Sequence, residues 1–216
     1  MFLTQMNLNP ARRGTRSLLG SPQRMHAAVM LGFPPGSTTD GPEGRVLWRI
    51  DHSDHAEKLW ISSPSKPDLT HIVEQAGWTT APDPWRSVQT DSLLDRLTTG
   101  QEWIFRLTAN PVVSVKQDGG RGKRVPWLRA GEQVAWLESR SSRLGFSLTH
   151  ADVTGQDEIS FHRGTDGTNR KVTLNRATID GVLTVTDPTL FRTALTHGVG
   201  KAKGYGCGLI TLAPPR

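Results

Sequence analysis

The chain opens with a strand pattern and continues with a helix pattern. Phe2, Thr4, Met6 and Leu8 alternate with the positions between them, and this period of two predicts a strand over 2–9. Residues 10–20 are basic and are predicted to form a loop. Ser-Pro at 21–22 is typical of a helix start, with serine at the N-cap and proline at the first helical position. The predicted helix ends before the prolines at 34–35.

Shorter patterns follow in the rest of the first half. A flexible loop is expected over 35–44, before two apolar segments that predict strands. Turn-rich sequence then leads to a short helix, a proline-rich connection and one helical turn before Gly100. The predicted elements are strands 45–51 and 58–62, helix 70–76, connection 79–87 and a helical turn at 93–97.

The second half repeats this order of elements. The patterns predict a long strand 101–115, a glycine-rich basic loop 116–126, a helix 128–144, strands 146–153, 157–163, 170–176 and 181–186, a helix 188–197 and a last strand 209–212. Read coarsely, β-α-β-β-α-β occurs twice, and this is the ferredoxin-like unit. The sequence therefore predicts an α+β protein of two tandem ferredoxin-like domains, 1–97 and 98–216.

The charge of the chain is concentrated in this second half. The 216 residues carry a formal net charge of +6, with a pI of about 10.0. Residues 1–110 hold 11 basic and 11 acidic side chains, whereas 111–216 hold 15 basic and 9 acidic ones, so the whole surplus lies there. Such asymmetry is typical of a polyanion-binding surface, although a solvated basic face is the alternative.

Composition narrows the class of protein further. No long apolar run is present, so no membrane span is predicted. A single cysteine, Cys207, excludes an internal disulfide and a CxxC metal knuckle, and it fits a cytoplasmic location. His52 and His55 have a spacing that metal ligands can have. Because no third cluster of potential metal ligands accompanies them, a solvated turn is favoured over a metal site.

A stretch of five glycines and two lysines lies between the last predicted helix and the last strand. Glycines tolerate positive φ, so their N–H groups can line an anion-binding concavity. The lysines favour phosphate as the anion. A dinucleotide fold is excluded because its glycine loop joins a strand to a helix, and a P-loop because no Gly-Lys-Ser/Thr is present. The residues are Gly198, Gly200, Lys201, Lys203, Gly204, Gly206 and Gly208.

Several motifs, taken together, resemble one family. The glycine stretch GVGKAKGYGCGLITL resembles the glycine-rich loop of the RAMP superfamily of CRISPR-associated proteins, and the CasE family in particular. FRLTANPVVSV, GKRVP, AWLESRSSRLGFSL, GVLTVTDP and SPQRMHAAVMLGFP also resemble that family, at 105–115, 122–126, 135–148, 181–188 and 21–34.

The resemblance implies an activity and partners. It implies a metal-independent, cofactor-free endoribonuclease that cuts the CRISPR repeat hairpin once, at the 3′ base of its stem. It further implies that the protein stays on the mature crRNA as a subunit of the Cascade complex. A non-catalytic RAMP module that only holds crRNA is the alternative, and a histidine at the motif position favours the nuclease.

The resemblance also assigns candidate residues. His26 matches the family's catalytic histidine, but Gln23 stands where many members have a tyrosine, so the second acid–base group is open. Arg24 or another cation near His26 is expected to stabilise the phosphate instead. Three basic segments, each of which could otherwise be only a solvated surface, are expected to hold RNA. Together with Arg24, the predicted RNA-binding residues are Arg121, Lys123, Arg124, Arg163, Arg170, Lys171, Gly198, Gly200, Lys201, Lys203 and Gly204.

Overall fold

A computed structural model describes residues 1–37, 40–53, 56–117, 120–163 and 170–215. Within these ranges the first half contains six strands and three helices: β1 (Phe2–Leu8), α1 (Arg13–Leu19), α2 (Pro22–Met30), β2 (Asp40–Gly41), β3 (Gly44–Arg45), β4 (Leu47–Ser53), β5 (Ala56–Ser63), α3 (Thr70–Ala76) and β6 (Trp85–Gln89). Four of these strands form an antiparallel sheet in the order β4-β5-β1-β6.

The second half repeats this arrangement with longer strands. Its elements are α4 (Asp91–Asp95), β7 (Glu102–Ala109), β8 (Val112–Gln117), β9 (Gly120–Pro126), α5 (Ala130–Ser141), a 3₁₀ turn (Ser142–Leu144), β10 (Phe146–Arg163), β11 (Arg170–Val185), α6 (Pro188–His197), a second 3₁₀ turn (Lys203–Tyr205) and β12 (Ile210–Ala213). The sheet order is β10-β11-β7-β12, again antiparallel, and β8 and β9 form a separate two-stranded ribbon.

Both sheet orders are those of a ferredoxin-like unit, so the predicted fold class is confirmed. In the first half β1 lies between β5 and β6, and in the second half β7 lies between β11 and β12. Two separate clusters of buried side chains lie beneath the helices, one in each half. The predicted boundary between 97 and 98 falls in the segment that joins the sheets, and it stays a prediction.

The two halves are joined by a buried charge network. Arg49 on β4 is almost fully enclosed, with 2% of its side chain exposed. Its guanidinium donates to Asp51 on its own strand and crosses to the carbonyl oxygens of Arg106 on β7 (2.9 Å) and Leu209 beside β12 (3.1 Å). A further bond of 2.8 Å reaches Thr211 Oγ1. This arginine ties the first sheet to the second.

Several element predictions are wrong in detail. The predicted basic loop 10–20 contains α1, which packs against α3 through a bond of 2.9 Å from Thr15 Oγ1 to the carbonyl of Ala76. The predicted proline-rich connection 79–87 runs into β6, and the flexible loop 35–44 contains β2 and part of β3.

The long strands also differ from their prediction. The single strand expected over 101–115 is broken at Asn110 and Pro111, because proline has no N–H to donate to a ladder. The expected loop 116–126 is largely the β8–β9 ribbon. Conversely, the strands predicted at 146–153 and 157–163 merge into β10, and those at 170–176 and 181–186 merge into β11.

Candidate functional site

Helix α2 presents His26 at the edge of a buried face. Ser21 caps the helix, accepting a bond of 3.4 Å from the backbone N–H of Arg24, and Pro22 occupies the first position. Met25 and Val29 are buried in the core of the first half, and this burial determines which side of α2 faces the solvent. His26 lies on that border, half-buried.

The glycine loop, defined here as Gly198–Gly208, lies against the His26 imidazole. A Cβ placed on Gly204 would stand 3.5 Å from His26 Nε2, so the ring edge faces the loop backbone. The other ring nitrogen, Nδ1, is buried and makes no hydrogen bond to the residues that the structure describes. Burial lowers the pKa of His26, and the positive charge of Arg45 lowers it further. The imidazole is therefore held towards its neutral, proton-accepting form.

Positive φ angles give the glycine loop its shape. Gly198, Gly200, Gly206 and Gly208 have φ of 74°, 79°, 80° and 93°, values that glycine adopts without strain. Ala202 takes φ 63° between them, the one non-glycine residue with positive φ in the described part of the chain. The backbone therefore reverses direction repeatedly within a compact loop.

The glycine loop belongs to the second domain but packs on the first. Added Cβ atoms would lie 2.8 Å from Leu47 at Gly198 and 2.9 Å from Trp48 at Gly206, so both contacts require glycine. The loop closes on itself by a bond from Val199 N–H to the carbonyl of Gly208. His26 and the loop, more than 170 residues apart in sequence, thus form one site across the two domains.

A basic groove of about 640 Å³ continues from the glycine loop. It lies between the loop, the β8–β9 ribbon and α5. Three predicted RNA-binding residues line it, Gly200 and the exposed Lys201 and Arg124. Lys203, which precedes Gly204 in the loop, is half-buried; burial lowers its pKa, as does the charge of Arg45.

Two further cations of this groove were missed from the sequence. Arg140 and Arg143 line it from α5 and the turn that follows. Arg140 lies 4.5 Å over the Trp136 ring, and burial together with the charge of Arg143 lowers its pKa. Their spacing of three residues places both on one side of a helix, and this was the signal available in the sequence.

The long β10–β11 ribbon carries other predicted residues. Arg163 and Arg170 are opposite each other at its end, and the exposed Lys171 is opposite His162. Phe161 on this ribbon packs against Tyr205 of the glycine loop, with ring centroids 4.7 Å apart, so the ribbon passes close to the site. The side chains of Arg163, Arg170, Arg121 and Lys123 lie outside the described part of the structure.

Gln23 lies on the same side of α2 as His26, whereas Arg24 lies on another side. Gln23 is three residues earlier on α2 and so shares the histidine's side of the helix. Arg24 is two residues earlier, on another side, where it is exposed and donates to Ser17 Oγ at 3.1 Å. The structure does not bring Arg24 to the imidazole.

No metal cluster accompanies this site within the described ranges, where no three His, Cys, Asp or Glu side chains converge. His52 is exposed and pairs with Glu57, while His55 lies outside the described residues. Among the helices that the structure describes, none has the length and apolar character needed to cross a membrane.

Comparison of the sequence with known protein families identifies the family of this chain. Residues 1–214 match a family described as CRISPR associated protein. The chain belongs to this family. The match extends over both ferredoxin-like units and includes α2 and the glycine loop.

Individual members of the CRISPR-associated family agree with this assignment. The chain is 30% identical to the CRISPR-associated endoribonuclease Cse3 of Thermus thermophilus, over 99% of this chain and 100% of that protein. It is 28% identical to the CRISPR system Cascade subunit CasE of Escherichia coli, over 77% of this chain and 94% of that protein. A solved structure of Thermus thermophilus Cse3 bound to an RNA representing a pre-cleavage complex is 27% identical, with a TM-score of 0.78 and coverage of 99% and 98%.

Proposed function

We propose that this protein is the endoribonuclease that cuts CRISPR repeat RNA at the 3′ base of its stem-loop and stays on the mature crRNA as a Cascade subunit. The observation that carries the proposal is the His26 imidazole facing the glycine loop, with basic side chains around both. The relatives named as endoribonuclease and as Cascade subunit support it. A cytoplasmic location follows from the proposed substrate.

The chemistry needs no metal because RNA carries its own nucleophile. The 2′-OH beside the scissile phosphate attacks phosphorus, the 2′-O–P bond forms and the bond to the 5′-oxygen breaks. His26, held towards its neutral form by burial and by Arg45, accepts the 2′ proton at Nε2, the ring nitrogen that faces the glycine loop. The products are a 5′-OH end and a 2′,3′-cyclic phosphate, or the 3′-phosphate formed when that ring opens.

The basic groove and the glycine loop supply the grip on the hairpin. Loop N–H groups and Lys203 would contact the phosphates beside the cut. The phosphates of the stem would contact Lys201, Arg124 and the two arginines that α5 and the turn after it contribute to the groove. An A-form stem is recognised mainly through its shape, phosphates and 2′-OH groups, so cations on a shaped groove are suitable recognition elements. The β10–β11 ribbon, with Arg163, Arg170 and Lys171, is proposed to reach the base of the stem.

The test uses the repeat hairpin encoded beside the gene. The wild-type protein is incubated with this RNA in EDTA, and a second RNA carries 2′-deoxyribose at the nucleotide before the cut. We expect one cut of the first RNA, a 2′,3′-cyclic or 3′-phosphate end, and no cut of the second. Binding of an RNA that stays intact would indicate the non-catalytic crRNA-holding module, for which the departure at Gln23 is the supporting observation. Cleavage of the 2′-deoxy RNA would exclude attack by the 2′-OH.

A further inference from the structure

Arg45 is the cation beside His26 that the sequence did not single out. It ends β3, and its charge lowers the pKa of both His26 and Lys203, two residues on different elements. Arg45 is therefore close enough to both side chains to interact with them electrostatically. Asp40 moderates this charge, because it raises the pKa of Lys203 and pairs with Arg45.

The segment after Arg45 runs alongside the glycine loop. Leu47 and Trp48 are fully buried, and they touch the loop at Gly198 and Gly206. Because both contacts are tight enough to exclude a Cβ, the position of the segment relative to the loop is fixed within a narrow range. Arg45 stands two residues before the first of these contacts.

The β2–β3 hairpin, residues 40–45, is itself anchored next to the loop. His197, which directly precedes the loop, has Nε2 at 3.1 Å from the carbonyl oxygen of Gly41. Gly44 has φ 141°, and a Cβ there would stand 3.1 Å from the carbonyl of Thr196. The hairpin thus packs against the end of α6, at the entrance of the glycine loop.

The guanidinium of Arg45 is available to a ligand. Its side chain is 33% exposed, and within the described part of the chain its side-chain bond is the one from Nη1 to Asp40 Oδ2, at 2.7 Å. Asp40 is 58% exposed, so this ion pair is solvated and is easily exchanged for a stronger partner. A phosphate is such a partner, because the planar guanidinium can donate to two of its oxygens at once.

We propose that Arg45 is a catalytic residue of the RNA-cleavage reaction, donating to the non-bridging oxygens of the scissile phosphate as charge builds up on them. The inference rests on the proposed nuclease function. In the step, the 2′-O–P bond forms, the P–5′-O bond breaks, His26 takes the 2′ proton and water protonates the 5′-oxygen. Arg45 transfers no proton and stabilises the pentacoordinate phosphate, which carries more negative charge than the ground state. Arg45 thereby takes the phosphate-stabilising role that was expected of Arg24 or another cation near His26.

The test separates chemistry from binding. Arg45→Ala, Arg45→Lys and the wild type are compared in single-turnover cleavage of the repeat hairpin, and their affinities are measured with the 2′-deoxy hairpin. The matched control is Arg86→Ala, an exposed arginine on β6. Thermal unfolding of each variant checks that the fold is intact.

We expect Arg45→Ala to cleave about 100-fold or more slowly while its affinity changes by no more than about threefold. Arg45→Lys should recover part of the rate, since it restores the charge without the two-pronged geometry, and added guanidinium chloride should partly rescue Arg45→Ala. Arg86→Ala should behave as the wild type. Cleavage by Arg45→Ala within about threefold of the wild type, or a loss of affinity equal to the loss of rate, would overturn the role of Arg45 alone. A wild type that leaves the hairpin intact would overturn the proposed function, and the role of Arg45 with it.

Discussion

Replacing Arg49 should weaken the junction between the two domains. In Arg49→Met the apolar stem is kept and the guanidinium is lost. The carbonyl oxygens of Arg106 and Leu209 then lose their donor, and so does Thr211 Oγ1. Asp51, whose side chain is only 15% exposed, keeps one longer contact of 3.6 Å to the Arg106 guanidinium.

The cost follows from the burial of these groups. Removing one partner of a buried ion pair typically costs about 3–5 kcal/mol, because the remaining groups stay buried without compensation. For a protein of this size each kcal/mol lowers the melting temperature by about 2–4 °C, so a decrease of about 6–20 °C is expected. Cleavage should also fall, since His26 and the glycine loop belong to opposite sides of this junction.

Chemical and thermal unfolding of Arg49→Met measure this cost. The control is Arg86→Ala, an exposed arginine, whose free energy of unfolding should stay within about 0.5 kcal/mol of the wild type. The double variant Arg49→Met/Asp51→Asn should recover part of the loss, because it removes the stranded carboxylate. An Arg49→Met protein within about 1 kcal/mol of the wild type would refute the view that this arginine joins the domains.

Three further predictions concern the site itself. The single-turnover cleavage rate should rise with pH through an apparent pKa below about 6.5 and then level off, because burial and a nearby cation lower the pKa of His26. A cleavage rate that rises only above pH 8 would contradict this prediction. Gly206→Ala should lose about 1–3 kcal/mol of stability and most of the cleavage activity, because φ is 80° and the new Cβ would stand 2.9 Å from Trp48. The control Gly131→Ala, in open space on α5, should be neutral or stabilising, and unfolding curves of the two variants distinguish these outcomes. Arg143→Ala should weaken hairpin binding and reduce the slope of log affinity against log salt by about one; an unchanged slope would remove this residue from the interface.

The sequence predicted the elements whose patterns are local. The Ser-Pro start of α2 has the cap expected of it, and α6 covers its predicted residues 188–197, with Asp187 accepting from the N–H groups of Thr189 and Leu190. Helix α1 was missed because its own segment has no side-chain cap and no acidic first turn. Its stability comes from α3, through bonds such as that of Thr15, and contacts between segments so far apart leave no local pattern.

In the candidate site, too, the sequence predicted the local motifs but not the contacts between distant segments. His26 and the glycine loop were found through motifs, but their contact is a tertiary fact that neither motif contains. Arg45 was missed because it stands alone at the start of an apolar segment predicted as a strand, and only the packing of Leu47 and Trp48 on the loop brings it near the imidazole. Arg24, two residues from His26 in sequence, is on another side of the helix. Closeness along the chain was a poor guide to closeness in space.

The most direct test of the account is the effect of His26→Ala on cleavage and on binding, measured separately. With the repeat hairpin in EDTA, the single-turnover cleavage rate should fall by at least about 100-fold, since a general base contributes about this much or more. The affinity for the 2′-deoxy hairpin should stay within about threefold of the wild type, because the basic groove and the glycine loop are unchanged. Cleavage by His26→Ala at the wild-type rate would contradict the central claim that this imidazole, facing the glycine loop, carries out the proton transfer.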